Sequence, residues 1–345
     1  MTSAGNFFED FSLGHIIHHA TPRTVTSGDV ALYQALYGPR FAVQSSDEFA
    51  RALGFDRAPV DDLMAFHIVF GKTVPDISLN AVANLGYADC RFQTRVYPGD
   101  TLTARSEVIG LRETSRGKSG VVWVKTVGLN QRAETVVSYV RWVMIRKRDV
   151  ASPARGPAIP NLPQVAGEIH VPEELDFLRW NFDLAGANYR WSDYHVGDRF
   201  DHVDGATIEE AEHMMATRLW QNTAKVHFDQ YAAEKGRFHR RLIYGGHIIS
   251  LARALSFNGL ASAGLIAAIN GGSHSNPTFA GDTIHAWSEV LDRIEISDRA
   301  DVGALRLRMV AAKDRACADF PYKDGEGKYD PAVVLDLDYT VLVPR

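Results

Sequence analysis

The sequence predicts an α+β protein built from two tandem copies of one unit, each a long helix packed on a curved antiparallel sheet. Three observations predict it. Short segments recur in the same order at nearly one offset: Tyr97–Val108 (YPGDTLTARSEV) matches Phe279–Val290 (FAGDTIHAWSEV) at seven of twelve positions, 182 residues on. Phe11–Ile17 likewise corresponds to Tyr194–Phe200, and Thr24–Leu36 to Thr207–Leu219, both 183 residues on. A fixed period of this kind marks internal duplication. Each copy then holds one apolar segment of helix length, and most of the remainder is rich in β-branched and aromatic residues.

Thr24–Leu36 opens on Thr and Ser and carries Val30, Leu32, Tyr33 and Leu36, which predicts a short helix. Its counterpart begins Thr207-Ile208-Glu209-Glu210, a capping-box pattern with Glu210 three residues after Thr207. The long helix is expected over Asp62–Lys72 and again over Gly246–Leu255, with Asp61 and Asp62 suited to cap the first. Gly120–Val127 and Val136–Ile145 read as strands. Gly99-Asp100 and Gly281-Asp282 each precede a strand and read as turns; both copies keep them, which points to architecture rather than chemistry. The expected order in each copy is helix, long helix, then four or five antiparallel strands.

Between Asp149 and Pro172 the composition shifts, with five of the 14 prolines in one stretch. Proline continues neither a helix nor a central strand, so residues 151–172 read as a linker between a unit over 1–150 and a unit over 173–345. Ile159, Leu162 and Val165 would let part of it pack on the surface.

The 345 residues are 46% hydrophobic and 23% charged, enough apolar material for two cores. The net charge is −5, and the longest basic run is Arg146-Lys147-Arg148, which argues against a nucleic-acid partner. Cys90 and Cys317 form neither a disulfide framework nor a zinc spacing, so a reducing, cytoplasmic setting is expected. Met1–Asp10 lacks the pattern of a secretory leader, and no apolar run reaches the ~18 residues of a membrane span. No His, Asp or Glu set has convincing metal-ligand spacing, so neither a metal nor a cofactor is expected.

This layout, with Gly-Asp-Thr opening a strand, resembles the MaoC-like branch of the hot-dog fold, and two copies in one chain resemble a double hot-dog enoyl-CoA hydratase. That family carries a motif of the type G-D-x-N-P-[IL]-H, whose Asp and His hold the catalytic water. In copy two the matching stretch is Gln221–His227: His227 falls in the His position, Asn222 in the Asp position, and Lys225 replaces the proline. In copy one it is Gly38–Gln44, where Pro39 and Gln44 occupy the two slots, so both groups are lost. The stretches Val60–Ala88, Arg218–Asp229 and Arg240–Ala261 more narrowly resemble the mesaconyl-CoA hydratases, also called β-methylmalyl-CoA dehydratases. The resemblance covers nearly the whole chain. It implies reversible hydration of mesaconyl-CoA, in acetate assimilation through ethylmalonyl-CoA or a related bacterial carbon cycle. It further implies that copy two is the catalytic one, that coenzyme A arrives as part of the substrate, and that double hot-dogs pair into a homo-oligomer, a dimer or larger.

The residues can be read against that chemistry. Histidine titrates near neutrality, so His227 suits proton transfer to and from water. Asn222 can orient a water or an imidazole but takes up no proton, so either His227 works alone or Asp229, Asp61 or Asp62 substitutes. Gly245 and Gly246 open the second long helix, whose N–H groups would stabilise an enolate-like thioester oxygen. Lys225, and Arg40 in the other copy, place a cation where the second carboxylate of mesaconate would need one. Arg237, Arg240 and Arg241, with Lys235 and His239, form a basic cluster that suits coenzyme A phosphates, or equally a solvated loop. Other (R)-specific enoyl-CoA hydratases or 3-hydroxyacyl thioester dehydratases, a thioesterase of the same fold, and a non-catalytic acyl-CoA binding protein stay open as alternatives. Asn222 is the best support for the last.

Overall fold

The computed structural model describes residues 5–153 and 156–345; Met1–Ala4 of the segment read for a leader, and Ala154 and Arg155 of the Pro-rich stretch, lie outside the described residues. Copy one runs β1 (Ile16–Thr24), α1 (Ser27–Tyr37), α2 (Asp62–Thr73), β2 (Ala81–Phe92), β3 (Thr101–Glu113), β4 (Ser119–Leu129) and β5 (Thr135–Arg146). Copy two repeats the series as β6 (Arg199–Thr207), α3 (Glu210–Leu219), α4 (Gly245–Leu255), β7 (Leu265–Ser273), β8 (Thr283–Glu295), β9 (Val302–Lys313) and β10 (Val333–Pro344).

Two expectations are corrected. A strand precedes the first helix of each copy, and it escaped the sequence reading because it is an edge strand. β1 contains Pro22, tolerated where one side of the strand is unpaired, and β6 carries Asp201, Asp204 and Gly205. The capping box at Thr207 does not form. Thr207 is held in β6, with its hydroxyl 2.8 Å from that of Thr283 across the strand pair, and α3 starts at Glu210 without a side-chain cap. In copy one the reciprocal cap does form one residue pair away, between Thr26 and Asp29.

The ten strands make one antiparallel sheet in the order β1-β3-β4-β5-β2-β7-β10-β9-β8-β6, so each copy is the mirror of the other in strand order. The copies join where β2 pairs with β7, Tyr87 opposite Gly272 and Arg91 opposite Ala268. Helix α2 packs on β3 and α4 on β8. Every residue of α2 is buried, as expected of a helix that is apolar all round. The principal core spans both helices and both halves of the sheet. Polar contacts also cross between copies: His67 Nε2 lies 3.0 Å from Ser250 Oγ, and buried Asp62 pairs with Arg95 while accepting from the Ile266 N–H at 2.9 Å.

The segment after each short helix leaves its own copy and lies against the other. After α1, Gln44 donates to the Gly264 carbonyl at 2.7 Å. After α3, the Trp220 carbonyl approaches α2 so closely that a Cβ on Gly71 would sit 1.7 Å from its oxygen; only glycine fits there. This second crossing segment carries Asn222, Lys225 and His227.

Candidate active site

The chain leaves α3 through a turn pinned by Asn222. Its side chain is 1% exposed, its N–H donates to the Thr217 carbonyl at 2.9 Å, and its Oδ1 accepts from the Ala224 N–H at 3.1 Å. That is an Asx turn, with the amide oxygen facing its own backbone. The turn sets up a one-turn helix, Lys225–Phe228. From it, half-buried His227 places Nδ1 2.7 Å from the Leu242 carbonyl oxygen, while the Leu242 N–H donates back to the Val226 carbonyl at 3.0 Å. A carbonyl only accepts, so Nδ1 carries the proton and Nε2 presents a lone pair. Burial lowers the imidazole pKa below its ordinary value, against an opposing pull from the Leu242 carbonyl.

Two residues beyond Leu242, Tyr244 leads into α4. It has no side-chain cap, and its ring lies 5.7 Å from that of His227, centroid to centroid. A Cβ on Gly245 would sit 2.4 Å from the His274 ring. One on Gly246 would sit 2.4 Å from the Tyr244 ring and 2.5 Å from His67. Both glycines are therefore required by packing, and they open a helix that begins three residues after Leu242, whose carbonyl holds His227.

Around this helix start the structure gathers four further histidines that sequence reasoning passed over. His213 Nε2 accepts from the Tyr244 N–H at 2.9 Å, and its ring lies 6.3 Å from that of His227. His247 meets the Tyr37 hydroxyl of copy one at 2.9 Å. His67, from α2, faces Tyr244 and Trp220. His274 lies 3.4 Å from the Tyr87 hydroxyl. Burial pushes them to about 2 (His213), 3 (His247), 3 (His67) and 4 (His274), so all stand neutral at pH 7. His247, directly after Gly245-Gly246, was the one with a sequence signal; His67 and His274 come from other elements, and only folding brings them here.

The remaining candidates are distributed differently. Lys225 is exposed on the same turn as His227. Arg40 is at the far end of α4, on the Phe257 ring and bonded to Asn258 at 3.0 Å, so the structure does not bring it to His227. Arg240 stacks on Phe279 at 3.7 Å, exposed Arg237 lies by Phe238, and Lys235 lies on Tyr231. Arg241 is tied to Glu210 at 3.2 Å, and His239 bonds the Glu234 carbonyl. Among the possible substitutes for the missing carboxylate, Asp229 caps the next turn through the Ala232 N–H. Asp61 caps α2 and accepts from Tyr33, its pKa raised to about 6 by burial and by Asp62. Both copy-one carboxyls are occupied away from His227. No group of three or more His, Cys, Asp or Glu among the described residues is arranged to hold a metal, and no helix is long and apolar enough to cross a membrane.

The fold and this crossing-segment site define a double hot-dog protein of the MaoC-like class. A solved double hot-dog protein from Mycobacterium tuberculosis superposes over the whole of both chains with a TM-score of 0.81 at 21% identity, which establishes the fold. A putative MaoC domain dehydratase from Chloroflexus aurantiacus superposes at 0.97 with 63% identity, covering 100% of this chain and 99% of that one. Residues 1–321 match the mesaconyl-CoA hydratase family, and the chain belongs to it. It is 63% identical to the β-methylmalyl-CoA dehydratase of Chloroflexus aurantiacus, over all of this chain and 98% of that protein. It is 62% identical to the mesaconyl-CoA hydratase of Cereibacter sphaeroides, over all of this chain and 99% of that one.

Proposed function

We propose that the chain is a hydro-lyase that reversibly hydrates mesaconyl-CoA to β-methylmalyl-CoA. In the hydration direction, Nε2 of His227 takes a proton from water as the water oxygen bonds to Cβ. The π electrons move through Cα onto the thioester oxygen, where N–H groups of Gly245 and Gly246 stabilise the enolate. The enolate then collapses and Cα takes up a proton, so one water is added across the double bond. His227 carries both transfers, since Asn222 holds the turn rather than a proton. The observation that carries this reading is the fixed His227–Leu242 hydrogen bond, which keeps the basic nitrogen of the site free. Copy one acts as architecture and as one wall of the pocket. Lys225 is exposed on the same turn as His227, the exposed Arg237 and Arg240 would meet coenzyme A phosphates, and the double hot-dogs pair as a homo-oligomer in the cytoplasm.

The test is hydration of mesaconyl-CoA by wild type and by His227→Ala, with crotonyl-CoA alongside. Fast loss of the mesaconyl thioester absorbance, abolished in the variant, supports reaction and base together. Coenzyme A thioester binding without turnover in the wild type would replace this reading with the binding-protein one.

A further inference from the structure

Arg141, on β5, is fully buried. A guanidinium removed from water is normally paired with a carboxylate, because burial of an unpaired charge is costly. Arg141 makes no ion pair among the described residues. Its Nη2 donates to Thr73 Oγ1 at 2.7 Å and reaches Ser78 Oγ at 3.5 Å, its plane lies 4.2 Å from the centre of the Phe70 ring, and its Nε is buried with no acceptor. Two residues earlier, and so on the same face of the strand, Tyr139 is also fully buried. Its hydroxyl closes no hydrogen bond of normal geometry, although the Thr73 and Thr126 hydroxyls are near. Two buried donors on one strand face are thus incompletely paired: the Arg141 Nε has no acceptor, and the Tyr139 hydroxyl has only the Thr73 and Thr126 hydroxyls beside it.

The position of this pair is informative. The Phe70 ring that covers Arg141 also meets Tyr244 at 5.7 Å and Tyr87 at 6.2 Å. Tyr244 faces His227 and Tyr87 faces His274. Arg141 therefore stands one aromatic layer behind the helix start and the basic histidine. Arg141 is opposite Tyr87 across the β2–β5 pair; in copy two Tyr339, opposite Ile269, takes the strand position of Arg141, and the buried guanidinium comes instead from α4, where Arg253 lies over Tyr339 at 6.0 Å and donates to the Ala263 carbonyl and to Ser256.

We infer that Arg141, with the Tyr139 hydroxyl, receives the distal carboxylate of a dicarboxylic enoyl-CoA and is the specificity-determining residue of the site. The inference rests on the proposed hydratase reading. A carboxylate presents two oxygens to the two incompletely paired donors, and in a buried site that pair is worth far more than one made by exposed Lys225 in water. The carboxylate reaches Arg141 when an aromatic of the wall turns aside. Tyr87, opposite Arg141 across the β2–β5 pair with its hydroxyl 3.4 Å from His274, is the ring that would turn.

The test compares wild type, Arg141→Gln, Arg141→Lys and Lys225→Met. Hydration of mesaconyl-CoA is measured against crotonyl-CoA, and binding of succinyl-CoA against butyryl-CoA, which share the coenzyme and differ in the distal carboxylate. Arg141→Gln is expected to lower the mesaconyl-to-crotonyl ratio of kcat/KM by about 100-fold or more, and Arg141→Lys to restore only part of it. Wild type and Lys225→Met are expected to keep their preference for succinyl-CoA, and wild type to keep it from pH 5.5 to 8.5, because a guanidinium does not titrate there. Equal losses on both substrates in Arg141→Gln, with the ratio intact, would make the residue merely structural. Loss of the succinyl-CoA preference in Lys225→Met, or across that pH range in wild type, would assign the carboxylate to Lys225 or to a histidine. If Arg141→Gln fails to fold, these last two measurements still decide. Failure of wild type to hydrate either substrate would overturn the hydratase reading, while the succinyl-to-butyryl comparison would still report on Arg141.

Discussion

His227 donates its Nδ1 proton to the carbonyl oxygen of Leu242, 2.7 Å away, and thereby leaves Nε2 unprotonated. Because burial lowers the pKa of this imidazole, its basic form persists to lower pH than that of a free histidine. Activity that needs neutral His227 is lost only as pH falls through the lowered pKa. The acid limb of kcat/KM for hydration is therefore expected below the ordinary histidine value of about 6.5. A limb at or above that value would show that another group controls the reaction. His227→Asn should reduce kcat by about 100- to 10,000-fold with little change in Tm, since the side chain is only half buried.

Gly246 admits no side chain. In Gly246→Ala the new methyl would meet the rings of Tyr244 and His67, neither a flexible end. The expected cost is about 1–3 kcal/mol in stability from overpacking. A fall of about 100-fold or more in kcat should accompany it as the N–H donors shift. Denaturant melts and kinetics on one preparation check both; a variant with normal kcat would remove the helix start from the mechanism.

Asn222 acts through the backbone. Asn222→Ala deletes the oxygen that accepts from the Ala224 N–H and should cost about 1 kcal/mol while lowering kcat through the displaced His227. Asn222→Asp keeps that acceptor, so it should retain most of the turn and of the activity that Ala loses. Equal activity in wild type and Asn222→Ala would contradict this positioning role.

Acid should unfold the protein. His67, His202, His213 and His247 are buried and hold folded pKa values of about 3, 4, 2 and 3. Each is neutral in both states above pH 6.5. Below it the unfolded chain binds their protons first, so stability falls as pH falls. Asp61, raised to about 6, and Asp62, also raised, oppose this, because the folded state protonates them first. The imidazoles lowered by burial outnumber the raised carboxyls, so the net effect is a loss of stability as pH falls below about 6.5. Urea titrations at pH 7, 6 and 5 should show a steep drop in midpoint; an unchanged midpoint would mean these imidazoles are protonated in the folded state.

The duplication was legible because the Gly-Asp turn before a strand is a local device. Gly99 and Gly281 both take a positive φ, and Asp100 and Asp282 each accept from the backbone two residues before that glycine, whatever else the copy does. The long helices were legible because their apolar runs exceed strand length. The edge strands β1 and β6 were not: one flank of each faces solvent, so neither needs the apolar alternation that marks a buried strand. Thr207 misled for a related reason, since the residue that fits a cap was taken by strand pairing with Thr283.

The sequence by itself determined the repeat, the α+β class and the two long helices, and it singles out His227 as the candidate base, because turns, periodicity and motif spacing act over a few residues. Only the tertiary structure decided the surroundings of His227. The crossing of each overhanging segment onto the other copy carries Arg40 to the far end of α4 and brings Arg141, Tyr87 and His67 of copy one near copy two's histidine. Those contacts join residues up to about 220 positions apart, and such proximity is fixed by the pairing of β2 with β7 and the packing of α2 beside α4, which no local pattern encodes.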